Sequence, residues 1–495
     1  MTSIRINLCR LLAITLAGFV LAGPNAAAQI KVTEPDWSSP DTNVEIIEMT
    51  VSAAAQPDPA FTYRLTYLPE ETKAGNAATI YMHSLGESFL RGIWRRIEKE
   101  HGDDVHSWSG YGTPRDQIPL DKLKQASMQF DSYIRDHINR ATRRRDCDWG
   151  LGLEDLTGPM AIGLPLNGLQ ETRSISRAIA LQTKLAILES RFDDAVDLMR
   201  MNYRLGENVG RVELLVGGLI AMAEVNMSNG TMVDFIAAPD SPNMYWALTE
   251  LPRPIVDLRG ALRMECGLAL RIFPEMATAE TKNHSVDEWS RIVQAMPSAA
   301  MELQQIKKTR EMDFIPTAIG IMSYTPAKQR LVDSGMDAAK VEEMAVGQVL
   351  LIDANREYRR IANVVEQEAY LPFPGSVKRG RDIEEFLKGN ERNAFDSFGK
   401  VIAGMLLPAI QQVRNSQLRT QRDVDALRVI EALRMHAAAT GKFPAKLSDV
   451  TVVEVPGNPA TGKPFEYRLD GATAVLELPR SDGITYSKRY KVSLR

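Results

Sequence analysis

The residues best suited to metal or acid–base chemistry form one short cluster. His101 and His106 flank Asp103 and Asp104 in the sequence His-Gly-Asp-Asp-Val-His. Imidazole nitrogens and carboxylate oxygens are common ligands of zinc and other transition metals, and a loop after a helix end could gather them. However, a spacing of five residues does not place both histidines on one helix face, and the HExxH pattern is absent. We therefore expect a polar loop here and no bound metal.

Two further segments contain side chains of the nucleophile type. His83 precedes Ser84 and Ser88, but the segment lacks the G-x-S-x-G pattern that places a catalytic serine between a strand and a helix. Cys147 has no neighbouring histidine or helix N-terminus that would lower the pKa of its thiol. A simpler interpretation is that Trp149 anchors a loop beside a small buried cysteine. The sequence therefore identifies no catalytic residue.

Pairs of adjacent acidic residues invite comparison with glycosidases, in which two carboxylates flank the scissile bond. The pairs are Asp103-Asp104, Glu154-Asp155, Asp193-Asp194 and Glu384-Glu385. Adjacent residues of a helix point apart, so solvated helix faces explain these pairs better. Walker, G-x-G-x-x-G, EF-hand and C-x-x-C patterns are absent. We expect no cofactor, and the sequence favours a non-catalytic protein over an enzyme.

The composition is typical of a globular protein with more than one packing unit. The chain has 495 residues, of which 44% are hydrophobic and 25% are charged. A single hydrophobic core stops growing at about 250–300 residues. The formal net charge of -4 gives no reason to expect nucleic acid as a partner.

The N-terminus has the pattern of a secretory signal peptide. Arg5 and Arg10 precede an apolar run at 11–23, which is too short to span a bilayer core of about 30 Å. Three alanines at 26–28 then offer a cleavage site, so we expect residues 1–28 to be removed. The mature protein should be extracytoplasmic, either periplasmic or secreted. It should have no transmembrane span, because no later run is long and apolar enough.

Cys147 and Cys266 are the cysteines that remain after this cleavage. An oxidising compartment permits a disulfide between them, but two separate buried thiols are the simpler interpretation. Sequence separation does not reveal the distance between their Cα atoms, so both alternatives stay open.

The mature chain is predicted to be mainly α-helical. Residues 29–60 contain four prolines among Asp, Ser and Thr, so we expect a poorly ordered arm with one short strand at 44–51. Residues 61–416 show the apolar spacing of helices, which predicts an irregular helical array. Within it, five glycines and two prolines predict a long loop at 146–170. The segment 183–205 is similar to one tetratricopeptide hairpin, although no 34-residue recurrence supports a regular repeat.

Three consecutive arginines, Arg143, Arg144 and Arg145, close the helix predicted over 120–145. Positive charge in a last turn is favoured by the helix dipole, so a solvated helix end is the simpler interpretation. An anion-binding patch is the alternative.

Residues 417–495 are predicted to form a small α+β module of one helix and a three-stranded antiparallel sheet. The apolar stripe of its helix consists of Val424, Leu427, Ile430 and Leu433. Alternating residues at 465–469 and 475–478 predict two strands, and 484–494 offers a third. Asp470-Gly471 between the first two is a signal for a two-residue type I′ turn.

Several short phrases occur in a defined order along the chain. They are Pro59-Ala60-Phe61-Thr62-Tyr63-Arg64-Leu65, Gly75-Asn76-Ala77-Ala78 with Tyr81, Cys147-Asp148-Trp149-Gly150, Tyr245-Trp246-Ala247-Leu248 and Leu251-Pro252-Arg253-Pro254. Together they resemble a group of secreted proteins of planctomycete-type bacteria. The resemblance covers roughly residues 57–265 and the C-terminal module, and it implies no particular reaction, cofactor or partner.

The C-terminal module carries a second resemblance. The sequence Gly-Asn-Pro-Ala-Thr-Gly-Lys-Pro-Phe-Glu-Tyr at 457–467 resembles the Asp-Pro-x-Gly-x-Pro-Tyr-x-Tyr turn in the globular head of type II secretion pseudopilins. Asn458 replaces the aspartate of that turn. The resemblance implies a fold in which a helix precedes a small sheet. Pseudopilins also have an apolar N-terminal helix that runs into the head, whereas the helix here is amphipathic.

Three functions are compatible with these observations. The first is an exported, non-catalytic helical protein that binds or scaffolds a protein or peptide. The second is an extracytoplasmic hydrolase with a site in the loops 101–106 and 146–170. The third is a component of the cell envelope or secretion machinery with a pseudopilin-like head. A groove of apolar and arginine side chains would favour the first, a convergence of His, Asp and Cys the second, and a detached head with an exposed apolar face the third.

Overall fold

The computed structural model describes residues 30–33, 44–84, 89–110, 113, 117–158, 167–303, 315–375, 379, 385, 397–481, 484 and 487–495. The predicted signal peptide, residues 1–28, lies outside this part of the chain. The described chain is mainly helical with a sheet formed largely by C-terminal strands, as predicted. None of the helices in the described ranges has the length and apolar character needed to cross a membrane.

The strands are β1 (Ile30–Thr33), β2 (Val44–Val51), β3 (Lys73–Asn76), β4 (Arg144–Asp146), β5 (Glu466–Asp470), β6 (Thr473–Leu478) and β7 (Ser487–Leu494). The first helices are α1 (Ala77–Ser84), α2 (Phe89–His101), α3 (Val105–Trp108), α4 (Leu120–Met128), α5 (Asn139–Thr142), α6 (Asn167–Leu188), α7 (Phe192–Gly210), α8 (Leu215–Ala237) and α9 (Tyr245–Thr249). The later ones are α10 (Arg259–Ile272), α11 (Pro274–Thr278), α12 (Val286–Leu303), α13 (Ile315–Asp333), α14 (Ala338–Glu343), α15 (Val346–Gln367), α16 (Phe398–Leu406) and α17 (Pro408–Thr440).

The described residues form two compact units, each assembled from separate stretches of chain. The first contains 150–165 and 259–412, and the second contains 21–149, 166–258 and 413–495. This division differs from the predicted one, in which a helical domain over 61–416 preceded an independent C-terminal module. The sequence pattern shows where helices change to strands, but it does not show which distant segments pack together.

The sheet of the second unit has five strands in the order β1-β2-β7-β6-β5. β2 pairs with β7 in parallel along its whole length, from Val44 opposite Ser487 to Val51 opposite Leu494, and the other neighbours are antiparallel. The strand predicted at 44–51 is therefore confirmed. The prediction for 29–60 did not include β1 or the pairing of β2 with β7, and these two strands extend the predicted three-stranded sheet to a larger mixed sheet.

β2 joins the sheet because its residues alternate in the period of a strand. Ile47, Met49 and Val51 point to the buried face, whereas the residues between them are half-buried. Glu45 on the same face is also buried, and its carboxylate lies 3.2 Å from the ammonium group of Lys488 on β7. Because a buried charge needs a counterion, this pair helps to fix the register of the two strands.

The helix and hairpin of the C-terminal segment follow the sequence pattern closely. The predicted apolar stripe of α17 is buried throughout, at Val424, Leu427, Ile430 and Leu433. β5 and β6 form the predicted hairpin, but Asp470 pairs with Thr473, so the loop is Gly471-Ala472 and lies one residue later than predicted. Gly471 has φ of 60°, and Ala472 is outside the left-handed region, so the type I′ prediction is also wrong.

The helix predicted over 120–145 is divided into several elements. α4 is followed by a π-helix at Tyr133–Ile138, by α5, and then by the short strand β4, which pairs in parallel with β3. Arg144 and Arg145 therefore belong to a strand, and the prediction that they form a solvated helix end is wrong. The long loop predicted at 146–170 is irregular over its described residues 147–158, with a short 3₁₀ turn at Leu153–Asp155, and α6 begins at Asn167. Residues 159–166 lie outside the described chain.

α6, α7 and α8 form an antiparallel three-helix core in the second unit. The turn between α6 and α7 lies at the predicted residues 189–191, and Ser190 there adopts φ of 56°. The helix pair predicted at 183–205 is thus present, while its similarity to a tetratricopeptide repeat stays a prediction. In the first unit, α15 packs against α10, α12, α13 and α16. A Cβ atom on Gly399 of α16 would collide with the carbonyl oxygen of Ala354, so a glycine is required for this close packing.

One carboxyl group inside the three-helix core is kept in its neutral form. Glu224 of α8 is fully buried, and this burial raises its pKa to about 8 despite the hydroxyl of Thr172 and the charge of Arg173. The Thr172 hydroxyl donates its proton to the Leu169 carbonyl oxygen at 2.6 Å. Because that hydroxyl is engaged by Leu169, the effect of burial dominates and the pKa of the Glu224 carboxyl stays raised.

This arrangement predicts a pH-dependent cost to stability. The ordinary pKa of this carboxyl group is 4.5, and its pKa in the folded chain is about 8. At pH values between these two, the group has lost its proton in the unfolded chain but keeps it in the folded chain. The free energy of unfolding therefore falls as the pH rises through this range. Glu224→Gln removes this titration and should stabilise the protein near pH 8 more than near pH 4. The expected difference is a few kcal/mol, since one pKa unit corresponds to about 1.4 kcal/mol.

Denaturant unfolding at a series of pH values measures this effect. Glu213→Gln, at an exposed position shortly before α8, is the matched control and should leave the pH profile unchanged. Identical pH profiles for the wild type and Glu224→Gln would contradict the assignment.

Candidate binding cleft

The two histidines of the predicted polar cluster, His101 and His106, pack against aromatic rings near the C-terminal end of α2. His106 lies with its Nε2 atom 2.9 Å from Glu98 Oε1 and with its ring 5.3 Å from that of Trp94. The His101 ring lies 6.0 Å from that of Trp108. Across the described ranges, no group of three or more His, Cys, Asp or Glu side chains could hold a metal ion. The contacts of both histidines are those of packed side chains near the end of α2.

Of the nucleophile-type residues, the structure describes the side chains of His83 and Cys147. His83 is exposed on α1, and Ser84 and Ser88 are not among the side chains that the structure describes. Cys147 is a buried free thiol whose pKa is raised to about 12 by burial. A thiol in this state is protonated at neutral pH and is a poor nucleophile. Cys266 is also free and buried, so neither cysteine is in a disulfide.

The predicted role of Trp149 as a loop anchor is confirmed. Its indole Nε1 donates to the carbonyl oxygen of Asn208 at 3.0 Å. Its ring stacks on that of Tyr81, with centroids 5.9 Å apart. The acidic pairs fit solvated surfaces, since Asp103, Asp104, Asp155, Asp193 and Asp194 are exposed.

A concave site of a different kind lies in the second unit. It is a cleft of about 410 Å³, which we call the arginine cleft. It is lined by Leu65, Thr66, Tyr67, Pro69, Thr72, Arg145, Tyr203, Arg204, Glu207, Leu251, Pro252 and Ile255. Five of these residues are aliphatic or proline, and two are arginines. Its volume falls within the range of about 300–1,000 Å³ that is usual for ligand sites.

Hydrogen bonds and an ion pair of Glu250 connect two sides of the arginine cleft. Its Oε1 accepts hydrogen bonds from the backbone N–H groups of Leu65 and Thr66 at 2.7 and 3.1 Å. Its Oε2 forms an ion pair with Arg64 at 2.7 Å. Because Glu250 directly precedes Leu251, this one carboxylate holds the 64–66 segment beside the apolar residues on the other side.

α7 forms another side and holds β4 in place. Arg204 donates to the carbonyl oxygen of Arg144, and Arg211 donates to that of Arg145, both at 2.9 Å. Glu207 forms ion pairs with both Arg204 and Arg211, at 2.6 and 2.9 Å. These contacts satisfy backbone carbonyls of the short strand and explain why the arginine triplet does not continue the preceding helix.

Tyr67 is enclosed by a second group of charged side chains. The guanidinium carbons of Arg143 and Arg200 lie 5.2 and 4.6 Å from the centre of its ring. Arg200 also pairs with Glu71 at 3.1 Å, and Glu71 accepts a hydrogen bond from the backbone N–H of Leu68. Burial raises the pKa of Tyr67, so its phenol stays protonated at neutral pH.

Arg145 differs from the other arginines of the cleft. Its Nε donates to the Thr72 hydroxyl at 3.1 Å, and its Nη2 reaches the Pro69 carbonyl oxygen at 3.5 Å. Among the residues that the structure describes, no carboxylate forms an ion pair with it. The guanidinium is thus oriented by neutral groups and keeps its charge available at an exposed edge of the cleft.

The side chains of the arginine cleft are suited to binding rather than to proton transfer. Guanidinium groups do not release protons near neutral pH. Glu71 and Glu207 are each held in ion pairs with arginines. The sequence reasoning found the arginine triplet but missed the cleft, because its sides come from segments far apart in the chain. The Leu251-Pro252 phrase was a signal that could have pointed to it.

Comparisons with models of protein families, with curated proteins and with solved structures found no match. The resemblances to secreted planctomycete-type proteins and to pseudopilin heads stay predictions.

The hydrogen bonds of Glu250 can be tested separately from its charge. Glu250→Gln keeps a carbonyl oxygen for the N–H groups of Leu65 and Thr66 but loses the ion pair with Arg64. Glu250→Ala loses both and should destabilise the segment by about 1–3 kcal/mol, because two backbone donors lose their acceptor. Amide hydrogen exchange should show faster exchange at Leu65 and Thr66 in the alanine variant than in the glutamine variant. Unchanged exchange in both variants would show that Glu250 does not hold this side of the cleft.

Proposed function

We propose that this protein is an exported, non-catalytic binding protein that holds a segment of another protein chain in the arginine cleft. The observation that carries the proposal is the lining of the cleft, which combines apolar residues with the oriented guanidinium of Arg145. Of these apolar residues, Leu65, Leu251 and Ile255 are buried at its base, and Pro69 and Pro252 are exposed. An extended peptide offers apolar and polar side chains in alternation and therefore fits such a site. The signal-peptide pattern at the N-terminus supports export.

The alternatives have less support. A hydrolase needs a convergence of acid, base or nucleophile, whereas His83 is exposed, His106 contacts Glu98 and Trp94, and the Cys147 thiol is buried and protonated. A pseudopilin-like role needs a detached head, whereas β7 of that module is paired along its length with β2. The apolar and arginine side chains of the cleft match what binding requires.

A blocking substitution tests the proposal. Thr66 is half-buried and lines the cleft, so Thr66→Trp should fill much of it, while Thr66→Ser should leave it open. Thr62→Trp adds the same side chain at an exposed position that is not part of the lining. A displayed library of random decapeptides is selected on the wild-type protein, and the enriched peptides are synthesised with a fluorescent label.

Fluorescence anisotropy then compares the four proteins, and circular dichroism verifies that each is folded. Thr66→Trp should weaken binding by about tenfold or more, which corresponds to about 1.4 kcal/mol. Thr66→Ser and Thr62→Trp should bind as the wild type does. If no peptide is enriched, or if the enriched peptides bind Thr66→Trp unchanged, the arginine cleft is not the binding site.

A further inference from the structure

We propose that the segment held in the arginine cleft is acidic, with an Asp or Glu carboxylate bound by Arg145 and a neighbouring apolar side chain packed against the exposed Pro69 and Pro252 of the lining. This inference rests on the proposed function and specifies the chemistry of the partner. It is argued from charge complementarity, from the free donors of Arg145 and from the apolar part of the cleft.

The lining of the arginine cleft carries more positive than negative charge. It includes two arginines, Arg145 and Arg204, and one carboxylate, that of Glu207. Glu207 forms ion pairs with Arg204 and with Arg211, whereas Arg145 has no ion pair among the described residues. A ligand with negative charge is therefore attracted to Arg145.

Arg145 is the arginine best placed to bind the ligand. A guanidinium has five N–H donors, and the contacts with Thr72 and Pro69 use two of those in Arg145. The remaining donors match the two oxygens of a carboxylate, which arginine binds in a bidentate manner. Because Thr72 and Pro69 already orient the group, little side-chain entropy is lost on binding.

Arg204 and Arg211 have a different role from that of Arg145. Each is engaged by a backbone carbonyl of β4 and by Glu207. They position the strand that carries Arg145, and their charge is partly neutralised. A carboxylate of the ligand would therefore bind Arg145 rather than Arg204 or Arg211.

The apolar part of the cleft decides between an acidic protein segment and other anions. A free phosphate would leave the exposed apolar residues of the lining, Pro69 and Pro252, without a contact. A nucleic acid strand would bring consecutive phosphates past the Glu207 carboxylate and the exposed Asp146 at the end of β4. An acidic protein segment can contact both Arg145 and the apolar residues of the lining, because it supplies isolated carboxylates between apolar side chains.

Two pools of fluorescently labelled decapeptides test the inference. Both pools have the same Leu, Val and Pro content; the remaining positions are Asp and Glu in the acidic pool and Asn and Gln in the amide pool. The acidic pool should bind the wild type about tenfold or more tightly than the amide pool does at low salt, because hydrogen bonds to charged groups are stronger than those to neutral groups. The preference should shrink as sodium chloride is added.

Substitutions at Arg145 assign the preference to this residue. Arg145→Gln should lose the preference for the acidic pool and keep the affinity for the amide pool. Arg145→Lys should keep part of the preference, because lysine retains the charge but not the bidentate geometry. Arg135→Gln is the matched control: this arginine is exposed, with 66% of its side-chain surface accessible, and does not line the cleft. It should behave as the wild type does.

The outcomes separate this inference from the proposed function. Equal binding of the two pools, or a preference that persists in Arg145→Gln, would overturn the acidic segment while leaving a peptide-binding cleft. Displacement of the acidic pool by inorganic phosphate at equal concentration would also overturn it, because the apolar residues of the lining would then contribute nothing to the affinity. Failure of the wild type to bind either pool would count against both proposals.

Discussion

The second unit depends on one fully buried ion pair within α17. The guanidinium of Arg434 lies 3.0 Å from both carboxylate oxygens of Glu431, and neither side chain is exposed to solvent. Arg434 also donates to the carbonyl oxygens of Ser52 and Ser241, at 2.9 and 2.7 Å. Removing a charge from water costs several kcal/mol unless its hydrogen bonds are replaced. The chain therefore has to bring both serines to α17, and this requirement fixes two segments that are distant in sequence.

The arginine cleft is built on the continuations of these two segments. From Ser52 the chain leads to the 64–72 side of the cleft, and from Ser241 it leads to Glu250 and the apolar side that follows. Asn243 adds a further tie, because its side-chain amide donates to the backbone carbonyl of Glu431 at 2.9 Å. Glu250 then joins the two segments at the cleft itself. The arginine cleft is thus a consequence of buried polar contacts that lie elsewhere in the unit.

The sequence predicted the features that depend on neighbouring residues. Apolar periodicity located the pair α6 and α7 and the buried stripe of α17, because helix faces are encoded within a few turns. It did not predict that β2 completes the C-terminal sheet, since the pairing of Val44 with Ser487 joins strands from opposite ends of the chain. The interpretation of Arg144 and Arg145 as part of a helix end failed for a similar reason: Arg204 of α7 and Arg211 just after it bind carbonyl oxygens of this segment and stabilise a strand. The cleft depends on several such long-range contacts.

The most direct test of the central claim, that the arginine cleft binds a protein segment, is hydrogen–deuterium exchange of the full chain with and without a saturating selected peptide. Binding in the cleft should slow exchange in three separate segments, 64–72, 144–146 and 251–256, because these carry sides of the cleft. Exchange in the first unit, including α15, should be unchanged. Slower exchange confined to other segments, or no change in these three despite demonstrated saturation, would contradict the account.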